Sequence, residues 1–169
     1  MTLYMVGIGL SDEKDISVKG LEAVRSSDHV YLESYTSILQ VPVSRLEEFY
    51  GRKVTRAGRD LVENKAEQML DRAKDSDVAF LVAGDPMSAT THIDLMLRAE
   101  KKGIKLKVIH NASVLNAVGI TGLQLYKFGK TASMPFPHNV RSQTPYDILK
   151  VNMKNNMHTL MLLDLEPEN

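Results

Sequence analysis

Short apolar runs alternate with amphipathic stretches along most of the chain. The first run, Leu3 to Leu10, ends in glycine-rich turn residues, and behind it Val18, Leu21, Ala23 and Val24 recur at helical spacing. Val30 to Glu33 reads as a strand, and a helix is expected over about 43–50, closed by Gly51. A short strand over 53–56 follows, then a helix over 64–74 with Ala66, Met69, Leu70 and Ala73 on one face. The strongest strand signal is Asp77 to Gly84. After it come a helix over about 91–102 closed by Gly103, a strand over 105–109 and a helix over 113–118. Strand–helix–strand repetition with nearly continuous apolar strands predicts a parallel sheet covered on both faces, so the fold class is α/β.

From about Gly129 the pattern changes. Met134 to Pro137 and Gln143 to Pro145 read as loops, because each proline removes a ladder donor. A helix over 146–155 and a strand over 157–165 follow, with Asn155-Asn156 as the turn between them. A boundary is expected within 128–140, giving an N-terminal α/β domain over 1–130 and the start of a second α/β domain over 131–169.

Composition narrows the field. The chain has 169 residues, 21 Lys and Arg against 21 Asp and Glu, and no cysteine. Zero net charge lacks the basic footprint of a protein that grips many phosphates, so no direct nucleic-acid partner is expected. Without cysteine there is no disulfide scaffold, thiolate metal site or Cys nucleophile. The apolar start has no basic region before it and meets Asp12, Glu13 and Asp15 directly afterwards, which suits a buried strand better than a secretory signal. No stretch is long enough to cross a bilayer, so a cytoplasmic protein without a membrane partner is expected.

In an open parallel sheet, ligands bind outside the carboxyl ends of the strands. Three loops fall there. In Val6-Gly-Ile-Gly-Leu-Ser-Asp12 a Gly-x-Gly follows the strand, but Asp12 stands where a dinucleotide fingerprint would place a third glycine. A pyrophosphate would be repelled, leaving close approach to some other ligand or a tight turn with positive φ. In Ala83-Gly-Asp-Pro-Met-Ser88 and the residues up to His92, Asp85 puts a carboxylate just past the strand, and the hydroxyls of Ser88, Thr90 and Thr91 can cap the next helix. In Ile109-His-Asn-Ala-Ser-Val114, Asn111 or Ser113 can act as N-cap, and free N–H groups could hold a polar ligand edge. Carboxylates and hydroxyls on glycine-rich loops suit a small cationic or zwitterionic ligand, and capping alone also accounts for them. There is no nucleophile elbow, His-Glu-x-x-His or P-loop, and the five histidines are scattered, so no metal is assigned.

These loops, with Tyr35-Thr-Ser-Ile-Leu39, His110-Asn-Ala-Ser113, Gly122-Leu-Gln-Leu-Tyr-Lys-Phe-Gly129 and His158-Thr-Leu160, carry a resemblance that runs from end to end of the chain. The sequence resembles the diphthine synthases, within the tetrapyrrole-methylase-like class of S-adenosylmethionine-dependent methyltransferases. Gly84-Asp-Pro86 is shared across that class, whereas the Tyr-Thr-Ser-Ile-Leu and Gly-Leu-Gln-Leu-Tyr-Lys-Phe-Gly runs are much more specific.

The resemblance implies methylation of a modified histidine, the diphthine intermediate, on translation elongation factor 2 during diphthamide biosynthesis. S-adenosyl-L-methionine would be the methyl donor, S-adenosyl-L-homocysteine the product and the elongation factor the protein partner. The His-Asn-Ala-Ser form resembles eukaryotic members, which implies methylation of both the amine and the carboxylate of the acceptor. The family's cofactor contacts map onto Leu10, Asp85, Ser88, Ser113, Val114 and Leu163. Met87-Ser88 stand where the family usually has Phe-Gly, and a serine would crowd a closely approaching ligand or a backbone of positive φ. A homodimer is the family's expectation, and no general base is assigned. Beside the family's two-domain plan the chain looks short, as if truncated within the second domain. Another methyltransferase of the same class, acting on a small molecule or RNA, and a non-catalytic binding module remain the alternatives.

Overall fold

The computed structural model describes residues 1–88 and 92–165. Its contacts divide the chain into two units, Met1–Ser113 and Val114–Asn169. Among the described residues no helix is long and apolar enough to cross a membrane.

The first unit is built on five parallel strands: β1 (Thr2–Gly7), β2 (His29–Glu33), β3 (Thr55–Ala57), β4 (Val78–Val82) and β5 (Lys105–Ile109), in the order β3-β2-β4-β1-β5. The connecting helices are α1 (Val18–Ser26), α2 (Val43–Tyr50), α3 (Ala66–Asp75) and α4 (Ile93–Lys101). Every residue of β4 is buried, because β4 lies inside the sheet with helices on both faces. Its side chains alternate between two cores. Val78, Phe80 and Val82 join Leu3, Met5 and Tyr31 against Met69 and Leu70 of α3 and Leu95 of α4. Ala79 and Leu81 join Val6, Val30 and Leu32 against Val24 of α1 and Leu46 and Tyr50 of α2. β5, at the sheet's edge, alternates instead: Lys105 and Lys107 are exposed, and Lys107 lies over the Tyr4 ring at 5.3 Å.

The expected α/β class and parallel sheet are therefore present, and α2 and β5 have the expected limits. Gly51 closes α2 with φ 70°, a left-handed cap that glycine adopts without steric penalty. Two of the boundaries that differ from expectation have local causes. The helix expected from residue 64 begins instead at Ala66, behind a π-helical turn over Asp60–Asn64 that Lys65 closes on the Asp60 carbonyl. The one expected over 113–118 is a single turn, α5 (Val114–Ala117), continued by a 3-10 turn over Val118–Thr121 that Gly122 ends at φ 82°.

The second unit holds α5, a further 3-10 turn over Leu125–Lys127, and the parallel unit β6 (Ala132–Met134), α6 (Thr144–Lys154) and β7 (Met161–Leu163). Pro145 sits in the first turn of α6, where its missing N–H costs nothing, so that helix starts before Tyr146. The buried Asn152 amide ties helix to strand: its oxygen accepts the Lys130 N–H, and its nitrogen donates to the Lys130 carbonyl and the Thr159 hydroxyl. The division between units lies ahead of the 128–140 stretch where the sequence changes character. Residues 127–129 pair with His158 through backbone hydrogen bonds at 2.9 Å, which fastens them to the second unit.

Candidate functional site at the strand exits of the first unit

β1 and β4 are neighbours, yet α1 and α4 pack on opposite faces of the sheet. Strand exits that diverge in this way leave a crevice at the carboxyl edge, the usual ligand position in such sheets. The Gly84 N–H donates to the Gly9 carbonyl at 2.6 Å and the Gly9 N–H returns a bond to Gly84 at 3.4 Å, an antiparallel bridge past the ends of the parallel strands. Both glycines hold positive φ, 82° and 80°, which allows the two exits to turn toward each other. Gly7 answers a different need. A Cβ there would lie 2.6 Å from the Gly84 oxygen and 2.8 Å from the Asn111 Cβ. The close approach expected of the Gly-x-Gly is thus an approach to the other two loops of the protein itself.

Asn111 and Asp85 cross-link the three loops. The Asn111 side-chain nitrogen donates to the carbonyls of Gly7 and Asp15, each at 3.0 Å, and its oxygen accepts the Ala112 N–H. Asp85 is buried and its carboxylate takes four bonds. Oδ1 faces the Met87 N–H at 2.8 Å and the Ser88 hydroxyl at 3.3 Å; Oδ2 faces His110 Nδ1 at 2.8 Å and the Asn111 N–H at 3.0 Å. Burial pushes this carboxyl up, but the Met87 and Asn111 amides and His110 together outweigh it and hold Asp85 below the usual carboxylate range.

Leu10, Asp85, Ser88 and Ser113 of the expected contacts come together at this edge. A Cβ on Gly84 would sit 3.7 Å from the Leu10 side chain and 3.8 Å from the Ser113 Cα. Leu10 is exposed and Ser113 buried. Ser88 is accommodated without positive φ and its hydroxyl turns back onto Asp85. Val114 and Leu163 belong to the second unit, where Val114 opens α5 and Leu163 ends β7. Thr90 and Thr91, expected to cap α4, lie outside the described residues. His92 is a core residue: it is 1% exposed, edge-on to Phe80 at 5.1 Å, and burial lowers its pKa against the opposing Pro86 carbonyl.

The lip is electronegative. Asp15 accepts the Leu10 and Ser11 N–H groups, Asp12 accepts that of Lys14, and the buried Glu13 pairs with Arg45 at 2.6 Å. The buried Tyr50 phenol registers this field: desolvation, then Glu13, Asp12 and Asp15, push its pKa up. A fourth loop, at the end of β2, is held by the buried Glu33. Its carboxylate accepts the N–H groups of Tyr35 and Thr36 and the Thr36 hydroxyl, while Arg59 lies over the Tyr35 ring at 5.4 Å. Burial raises the Glu33 pKa despite those bonds and the Arg59 charge. Sequence reasoning read Asn111 as a cap and overlooked Glu33, although a lone acid ending an apolar strand was a visible signal.

A sulfonium cofactor fits these residues in charge, since the lip is acidic and the loops present backbone groups at a strand exit. Asp85, with about four acceptor sites all engaged, fits as a brace and a fixed negative charge, with no lone pair left for a direct hydrogen bond.

The human diphthine methyl ester synthase is 58% identical over 165 residues, covering 97% of this chain and 58% of its own length. The Dictyostelium discoideum protein of the same name is 49% identical, over 98% of this chain and 62% of its own. A crystal structure of diphthine synthase superposes with a TM-score of 0.93 at 49% identity, covering 99% of this chain and 66% of that one. The chain thus spans less than two thirds of the curated relatives it matches. The family model of the tetrapyrrole (corrin/porphyrin) methylases matches residues 2–163, and the chain belongs to that family.

Proposed function

We propose that the protein transfers methyl groups from S-adenosyl-L-methionine to the modified histidine of translation elongation factor 2, in the diphthine step of diphthamide biosynthesis. The observation that carries this reading is the acidic, glycine-bridged lip formed where the β1, β4 and β5 exits converge in a tetrapyrrole methylase fold. Relatives named diphthine methyl ester synthase support the choice of acceptor.

When bound, S-adenosyl-L-methionine supplies a methyl group already activated on a sulfonium, so the reaction calls for no protein nucleophile. The protein's part is orientation, which in well-aligned systems accounts for about 7–11 kcal/mol of barrier lowering. Leu10, Asp85, Ser88 and Ser113 are the residues of the first unit that would hold the cofactor. Asp85 fixes the β4 and β5 exits against each other and adds a negative charge that favours a cation. Residues 131–169 are read as the start of a second α/β domain, in keeping with the parallel β6–α6–β7 unit. A cytoplasmic homodimer that engages neither membrane nor nucleic acid completes the proposal.

The test is transfer of labelled methyl to elongation factor 2 purified from cells blocked at this step. Labelling of the factor's modified histidine supports the reading. Labelling of a corrinoid precursor or RNA in its place overturns it, as does binding of the factor without transfer. Calorimetric titration of S-adenosyl-L-methionine into wild type and Asp85→Ala checks the site, and equal affinities would remove Asp85 from it.

A further inference from the structure

Asp85 and His110 form a carboxylate–imidazole pair whose two members differ sharply in access. The Asp85 side chain is 6% exposed and that of His110 is 69% exposed, at 2.8 Å between Oδ2 and Nδ1. The carboxylate is held ionised at neutral pH by its amide partners and therefore only accepts. Nδ1 must then carry the proton. In the neutral ring this leaves the lone pair on Nε2, across the ring from Asp85, in a side chain that is largely exposed. A buried carboxylate that fixes the tautomer and orientation of an accessible imidazole is the arrangement by which proteins prepare a histidine to take up a proton. The pair stands where the β4 and β5 exits meet, beside the Asn111 cross-link.

We propose that Nε2 of His110 accepts the proton released when the acceptor's amine is methylated, with Asp85 as its positioning residue. The proposal rests on the functional reading above and adds a role to it. The ammonium form of the acceptor has no lone pair, so one N–H bond must break first, its proton passing to Nε2. The amine nitrogen then forms a bond to the methyl carbon as the carbon–sulfur bond breaks and its electron pair stays on sulfur. The imidazolium returns the proton to water. Esterification of the acceptor's carboxylate needs no such step, because an ionised carboxylate already carries the attacking lone pair.

That asymmetry supplies the test, made with the full chain. In 15N NMR spectra of the neutral ring, His110 is expected as the Nδ1–H tautomer; an Nε2–H tautomer overturns the proposal. In single-turnover assays on elongation factor 2, His110→Gln is expected to slow amine methylation by about 10²–10⁴-fold, the usual range for loss of a general base. The same variant is expected to lose at least about tenfold less in esterification of a factor whose amine is already fully methylated, and circular dichroism verifies its fold. Equal loss of both reactions shows a structural role and overturns the proposal, and so does loss of neither. If wild type labels neither group, the functional reading itself fails and the proposal falls with it.

Discussion

Asp85→Asn, nominally the most conservative change available at that position, is expected to be among the most damaging single substitutions in the first unit. All four groups around the carboxylate donate to it, and each oxygen faces one backbone N–H that cannot reverse its role: Met87 on Oδ1 and Asn111 on Oδ2. The Ser88 hydroxyl and the His110 ring can change donor for acceptor; the two amides cannot. Whichever side receives the NH2 group, a donor is driven against a donor. A hydrogen bond to a charged group contributes about 1.5–3 kcal/mol, and a buried donor left without a partner costs about 1–3 kcal/mol. These overlap, and Asn111 is half-buried, so a loss of roughly 3 kcal/mol is expected. With a urea m-value of about 2 kcal/mol/M this lowers the midpoint by roughly 1.5 M. Asp85→Ala opens room for water beside both amides and should cost no more than the isostere. Because the folded pKa of Asp85 lies below its unfolded value, its contribution is present above the unfolded pKa and disappears as pH falls through the folded one. Wild type should lose stability relative to Asp85→Asn in that acid window. Urea denaturation from pH 3 to 7 decides it: an Asn variant within about 0.5 kcal/mol of wild type at neutral pH refutes the four-donor account.

Further outcomes follow from other positions. Glu33 has its pKa raised, so its contribution to stability is full below the unfolded pKa and is lost as pH rises through the folded one. Glu33→Gln should remove that slope while Glu33→Ala, which strands the Tyr35 and Thr36 amides, costs about 2–3 kcal/mol, both read by urea denaturation against pH. Gly7→Ala should destabilise more than Gly51→Ala. The first drives a methyl into the Gly84 carbonyl and Asn111, whereas the second has open space around it and costs only the left-handed backbone, about 1 kcal/mol. Equal midpoints would undo the crowding argument. Asn152→Asp should unfold the second unit preferentially, by roughly 3 kcal/mol, since it turns the donor to the Lys130 carbonyl into a second acceptor; loss of amide-exchange protection across α6 and β7, with the amides of β1 and β4 still protected, would report it.

The parts of the fold visible in the sequence are those with local causes. The β4 run is apolar at every position because both of its faces are covered, and α2 ends at Gly51 because a left-handed residue ends it there. β6 was not visible. Only three residues pair, and Pro135 directly behind them gives the segment the look of a loop. The site was half visible. Glycine, Asp85 and Ser113 marked the loops, since strand exits in a parallel sheet are predictable places. The cross-links were not, because the Asn111 partners lie 26 and 104 residues away in the chain and leave no periodic trace. A residue type that suits a helix cap equally suits a bridge between loops, and only the tertiary arrangement chooses between them.

The Gly9–Gly84 bridge bears on how the molecule adapts to what it binds. Because each exit holds the other by its backbone, neither can swing out like a flap without both bonds opening together. That rim behaves as a fixed hinge plate. Its two amides should exchange with solvent as slowly as those of the sheet behind them, and adjustment to ligands of different size passes to the end of β2, held by one buried carboxylate, and to the exposed ring of His110. Variation in what the protein accepts is therefore to be sought at the flanks of the crevice, with its floor left unchanged.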